Sequence, residues 1–310
     1  MRDTFVRILI KRMRTDTSIF VVTADMGFGV FEELKKEFPD RFLNAGVAEA
    51  NSVGVSAGLA MSGYTVIFYA QASFATLRCF EQIRLDVASN NLNVKIAGTS
   101  SGFTLSQYGT SHYSVEDMGI MRTLPNMTIL SPGDLFEAEA ATNFMLDNDG
   151  PMYLRIGRSN AGPDIKIHRT MPLLRAGRPL MVRRGGSAII FAAGSMLYNA
   201  LRAWELLMKS GVKSSLFSSP FLKPIDTAFV KKLLKGKNII FTLEEHSEIG
   251  GLGSAIAELV AENNMKIPLV RIGTKDEFMH VAGSRDYLLS RHGLSPEQIK
   301  KRIKLALKKA

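Results

Sequence analysis

The feature that most constrains this chain is an alternation. Apolar runs of strand length recur at residues 17–25 (TSIFVVTAD), 64–70 (YTVIFYA), 93–99, 127–132 and 151–157. Helical patterns fill the gaps near 30–38, 47–62, 73–90, 114–122 and 133–147. Strands apolar at nearly every position are covered on both faces, and the intervening helices provide the crossovers that parallel pairing needs. The rhythm stops in a stretch rich in Gly, Pro and Arg, then restarts with SAIIFAAG and runs to a last helix, SPEQIKKRIKLALKKA, with Ser295 and Glu297 in its first turn. The expected fold is α/β, two domains each with a parallel or mixed sheet: residues 1–158, a connection over 159–186, and 187–310. A length of 310 residues suits two domains.

Composition removes several function classes. No window holds the ~18 uninterrupted apolar residues of a membrane span. The basic start, MRDTFVRILIKRMRTD, lacks a small-residue cleavage site and is expected to be a helix of the fold. The single cysteine, Cys79, excludes an intrachain disulfide, suits a cytoplasmic protein, and sits among apolar neighbours as a small core residue. The net charge of +10 is spread along the chain without the aromatic-interleaved stripe of a nucleic-acid binder. It fits attraction of phosphorylated small molecules or an acidic partner chain.

Three segments can carry chemistry. RFLNAGVAEANSVGVSAGLAMSG is a small-residue helix with one carboxylate at its start, Glu49. That Glu either complements the helix dipole at a half-exposed end or is a carboxyl in an apolar site, able to share a proton with a bound base. In ASFATLRCFEQIRLDVA, Phe74, Leu77 and Phe80 recur at helical spacing, as core packing or as a face for a flat heterocycle. SSGFTLSQYGTSHYSVEDMG is a polar loop after a buried strand, with His112 as a structural or ligand-contacting imidazole and Ser114-x-x-Asp117 at the spacing of a capping box. No His and carboxylate spacing resembles a zinc site; GGLGSAI ends in Ile256 and fails the dinucleotide fingerprint; no Ser sits in a Gly-x-Ser-x-Gly elbow. His246 and His280 have open roles, His246 as a helix cap or a substrate contact.

Together, RFLNAGVAEANSVGVSAGLAMSG, FEQIRLDVA and GTSHYSVEDMGIMRTLPNMTILSPGD resemble the pyrimidine-binding domain of transketolases, and EEHSEIGGLGSAIAELVAE with RIGTKDEF resembles their C-terminal domain. The resemblance covers essentially the whole chain and is nearest to the split transketolases, as the subunit without the diphosphate-binding domain. It implies thiamine diphosphate as cofactor and two-carbon ketol transfer between a ketose and an aldose. Glu49 matches the family's Glu at N1′ of the aminopyrimidine, which makes the 4′-amino group acidic enough to serve as the base toward the thiazolium C2. Phe74 matches the aromatic stacked on the pyrimidine, Phe80 and Leu77 complete the pocket, and Asp25 matches a position near the thiamine ring. His112 matches a His at the reacting end of the substrate, and Arg158 an Arg that grips a sugar phosphate.

Departures from the pattern fall at Ser100, where a second substrate His is usual, near Tyr108, where an acidic selector is usual, and near Gly29, where a phosphate-holding Ser is usual. The Gly-Asp-Gly motif that anchors Mg²⁺ and diphosphate is not in this sequence. The resemblance therefore implies a partner chain that holds both, in an α2β2 assembly. The alternatives are a thiamine enzyme using a 2-oxo acid (a deoxyxylulose-phosphate-synthase-like enzyme or a 2-oxo acid dehydrogenase β subunit) and a non-catalytic regulatory subunit of the same fold.

Overall fold

The computed structural model describes residues 1–157 and 166–309. Two sheets organise the chain. The first contains β1 (Ile19–Thr23), β2 (Phe42–Asn44), β3 (Thr65–Gln71), β4 (Val94–Thr99), β5 (Thr128–Leu130) and β6 (Met152–Ile156), all parallel. The second contains β7 (Leu180–Arg183), β8 (Ala188–Ala192), β9 (Ser214–Ser218), β11 (Ile239–Ser247) and β12 (Leu269–Thr274), in the order β12-β11-β8-β9-β7. A three-residue strand, β10 (Phe221–Lys223), leaves the second domain and pairs antiparallel with β5, so the first sheet reads β10-β5-β6-β4-β3-β1-β2.

Residue alternation along β3 shows why this sheet needs cover on both sides. Ile67 and Tyr69 face a core with Phe5, Leu9 and Met13 of the first helix, Arg2–Met13. Val66, Phe68 and Ala70 face the opposite core, with Val53 of helix Glu49–Met61 and Ile83 and Val87 of the following helical segment. The second core runs without a break into Phe191, Phe217 and Leu252 of the second domain. No helix among the described residues is long and apolar enough to cross a membrane.

Some local expectations are corrected. Residues 180–183, expected in the connection, form β7, antiparallel with β9. The helical pattern at 73–90 is wound mostly as π-helix, over Phe74–Arg78 and Ile83–Ala88. The capping box at Ser114 does not form. Ser114 exchanges backbone hydrogen bonds with Gly102, and its helix starts only at Asp117. That helix is capped from the other domain instead, where Gly119 N–H donates to His246 Nε2 at 3.0 Å. Burial lowers the His246 pKa, and its Nδ1 lies 2.8 Å from the Ser247 carbonyl oxygen, which fixes the neutral tautomer that accepts at Nε2. His280 is exposed. At the C-terminal helix, Pro296–Leu307, Ser295 does make a capping box, with Gln298.

Candidate active site

Parallel strands deliver their following loops to one edge of the sheet, and adjacent strands β4, β3, β1 and β2 deliver all the site candidates that the structure describes. Asp25 follows β1, in the left-handed region at φ 52°. Its loop is pinned by Asn44 at the end of β2: Asp25 N–H donates to Asn44 Oδ1 at 2.9 Å, and Asn44 Nδ2 donates to Asp25 Oδ1 at 3.1 Å. Asn44 Oδ1 also accepts from Gly46 N–H at 3.1 Å, three residues before Glu49.

Glu49 is the first residue of its helix and is 3% exposed, so the half-exposed reading of this carboxylate does not hold. Among the described residues, one side chain bonds it. Arg78 donates from Nη1 to Glu49 Oε2 at 2.7 Å, and its guanidinium carbon lies 4.2 Å from the centroid of the Phe74 ring. The π-helical turn Phe74–Arg78 makes this possible, because its wider winding re-aims side chains relative to an α-helix. The turn is held by Thr76 Oγ1 donating to the Ala72 carbonyl and Cys79 Sγ donating to the Phe74 carbonyl. Cys79 is buried, and burial together with the Glu49 charge pushes its thiol up to about 12, which leaves it inert.

His112 completes the cluster. Its ring centroid is 5.4 Å from Phe74, near perpendicular, and 5.2 Å from Tyr108. Gln71 Nε2 donates to its carbonyl at 2.7 Å, and its Nδ1 lies 2.8 Å from Ser111 Oγ, which leaves Nε2 available. The His112 loop is closed at its base by the Gly102–Ser114 bridge. It is also gripped by the second domain. Glu245 Oε1 accepts from Phe103 N–H at 2.8 Å, and Tyr113 Oη accepts from Met279 N–H at 3.1 Å. Ser100 sits at the head of this loop with φ 57°.

The structure thus gathers Glu49, Phe74 and His112, with Asp25 on the same edge. Leu77 is 47% exposed, and Phe80 packs against the core below. Among the described residues neither shares a hydrogen bond or ring contact with Glu49, Phe74 or His112. Arg158 lies outside the described residues. Arg78 and Tyr108 join the cluster without having been singled out as contacts. An arginine four residues after an aromatic, in the segment facing a lone buried carboxylate, was the signal for the first.

Behind the site lies a second set of charges. Arg155 on β6 donates from Nε to Asp117 Oδ2 at 2.7 Å and from Nη2 to the Ser114 and Glu245 carbonyls at 3.0 and 2.9 Å. Tyr153 Oη donates to the same Asp117 oxygen at 2.6 Å. Burial alone would raise the Asp117 carboxyl. The charge and hydrogen bond of Arg155, helped by Tyr153, more than offset it and hold the carboxyl below its usual range. Glu245 is bound by Arg285 Nη2 at 2.6 Å and Ser195 Oγ at 2.5 Å. These groups rivet the two domains together.

The chain as a whole is similar to known proteins. The family model described as "Transketolase, pyrimidine binding domain" covers residues 1–163, and "Transketolase, C-terminal domain" covers residues 177–299. The chain is 36% identical over 300 residues to a 6-deoxy-6-sulfo-D-fructose transketolase subunit of Clostridium sp., covering 96% of this chain and 92% of the relative. It is 33% identical over 299 residues to an apulose-4-phosphate transketolase subunit of Phocaeicola vulgatus, covering 96% and 94%. A solved structure described as a split gene transketolase, inactive beta4 tetramer, superposes with a TM-score of 0.90 at 33% identity, covering 99% of this chain and 98% of the other. The chain belongs to the transketolase family, in the form of the C-terminal subunit of a split transketolase.

Proposed function

We propose that this chain supplies the pyrimidine half of a thiamine diphosphate site that is completed by a separate subunit holding the diphosphate and Mg²⁺, in an α2β2 enzyme. The activity is two-carbon ketol transfer from a ketose to an aldose. One observation carries the assignment of the site. A planar, cationic N–H donor, the Arg78 guanidinium, already lies on the Phe74 ring and bonds the buried Glu49 carboxylate. An aminopyrimidine asks the same of a protein: an aromatic face to stack on and a carboxylate at a ring nitrogen. The residues therefore fit the group.

When bound, thiamine diphosphate supplies the nucleophilic carbon for ketol transfer. Glu49 would hold the proton shared at the pyrimidine N1′, in a setting largely hidden from water, the residue being 3% exposed. Phe74 would fix the plane of the ring. His112 would offer Nε2 to the oxygen at the reacting end of the substrate, with its ring orientation set by Ser111, Phe74 and Tyr108. Asp25 would stand near the thiamine ring, with Leu77 and Phe80 backing the pocket. Arg158 would grip the substrate phosphate.

The test is to capture the chain from its native lysate, identify the co-purifying subunit, and assay the complex with ketose, hydroxypyruvate and pyruvate donors. Thiamine-dependent turnover of a ketose or hydroxypyruvate supports the reading. Turnover of pyruvate alone would replace it with a 2-oxo acid enzyme, and a complex without thiamine dependence would make the chain a regulatory subunit.

A further inference from the structure

We infer that Arg78 is a displaceable plug of the pyrimidine slot, which keeps the free chain closed to the cofactor until the partner chain contributes its own binding energy. The inference rests on the proposed orientation of thiamine diphosphate. A guanidinium with its carbon 4.2 Å from the Phe74 centroid covers that face of the ring, and a stacked heterocycle needs the same space. The same guanidinium occupies Glu49 Oε2 at 2.7 Å, with the charge-assisted hydrogen bond that a ring nitrogen would have to replace.

The plug is built to leave. Arg78 is 48% exposed whereas Glu49 is 3% exposed, so the cation can swing into water while the carboxylate stays in place. Only the side chain has to move, since the turn beneath it is held by the Thr76 and Cys79 hydrogen bonds. Glu49 lies at the start of a helix packed on the sheet and has no comparable freedom. A ligand that brings only the pyrimidine must displace an ion pair and a cation–π contact. A ligand whose diphosphate is anchored on a second chain has further binding energy to set against that displacement. Partner docking should therefore precede tight cofactor binding.

The experiment titrates the full-length chain alone with thiamine, which lacks the diphosphate, by isothermal calorimetry. It compares wild type, Arg78→Met, and Arg78→Met combined with Glu49→Gln, each checked for an unchanged melting transition. A slot closed nine-tenths of the time loses about tenfold in apparent affinity, so Arg78→Met should bind thiamine at least about tenfold more tightly than wild type. The added Glu49→Gln change should remove that gain. Equal binding by wild type and Arg78→Met, no binding by Arg78→Met at millimolar thiamine, or a gain that survives Glu49→Gln each overturns the plug. The cofactor reading is judged separately. If thiamine diphosphate binds to the complex with the co-purified partner, that reading stands whatever Arg78 does; if it does not, both fall.

Discussion

Among the buried carboxylates that meet an arginine, Asp117 and Glu49 are treated in opposite ways. Asp117 is fully buried against Arg155, itself 3% exposed, and shares an oxygen with Tyr153. Glu49 is equally hidden but has a single side-chain partner among the described residues, and that partner is half in water. A buried ion pair is tolerable when both charges are held in place: the carbonyls of Ser114 and Glu245 take the second arm of Arg155, and Asp117 Oδ2 takes two donors, although Asp117 Oδ1 has no hydrogen-bond partner among the described residues. The lock at Asp117 joins domains. The looser arrangement at Glu49, with its partner half in water, is the one that the proposed cofactor role requires.

The comparison can be broken by substitution. Glu49→Ala in the assembled enzyme should lower kcat by about a thousandfold or more, the upper part of the range for general acid–base catalysis. It should barely move the melting temperature, because the released Arg78 is already half solvated. Asp117→Ala should do the reverse, destabilising the fold by about 3 kcal/mol or more by stranding Arg155, as read from denaturant unfolding. If Glu49→Ala unfolds the chain, or Asp117→Ala is harmless, the division between reserved and structural carboxylates is wrong. Phe74→Ala should weaken thiamine diphosphate binding to the complex by about 1 kcal/mol, roughly fivefold, through lost stacking.

The smallest effect concerns a third carboxylate pair. Glu137 Oε1 lies 2.6 Å from His168 Nε2, while Asp134 Oδ2 accepts from the Ile167 and His168 N–H groups at 2.7 and 2.8 Å, tying residues 167 and 168 onto the start of helix Leu135–Asp147. Burial opposes the charge on His168, but the hydrogen bond and charge of Glu137 outweigh it and raise the His168 pKa. A raised folded-state pKa gives stabilisation that is complete below the ordinary His value near ~6.5 and is lost as pH climbs through the folded value. Amide exchange at residues 167 and 168, corrected for intrinsic rates, should therefore quicken above neutrality. Glu137→Gln should flatten that dependence.

The long buried strands were legible because short apolar runs, such as IFVV in β1, VIFYA in β3 and AIIFA in β8, alternate with helical patterns and leave few alternatives. β2, β7 and β10 were not, being three or four residues long at the sheet edges, where pairing rather than pattern defines them. The Ser114 motif misled because the correct spacing was present but the backbone was already committed to Gly102. At the site, a lone Glu in a small-residue helix and an aromatic four residues before an arginine were visible as letters. That the arginine folds back over both depends on π-winding, which has no reliable sequence signature. The riveting by Arg155 and Glu245 was invisible for a different reason, since it joins residues 90 positions apart.

The brief return of β10 to the first sheet has a practical reading. Because Phe221–Lys223 zips onto β5, the sheet of the first domain is incomplete without chain from the second. A gene cut between residues 157 and 166 would not yield two autonomous proteins. It would yield a complementation pair, each half exposing a raw edge, whose reassembly could be followed as a binding reaction in its own right.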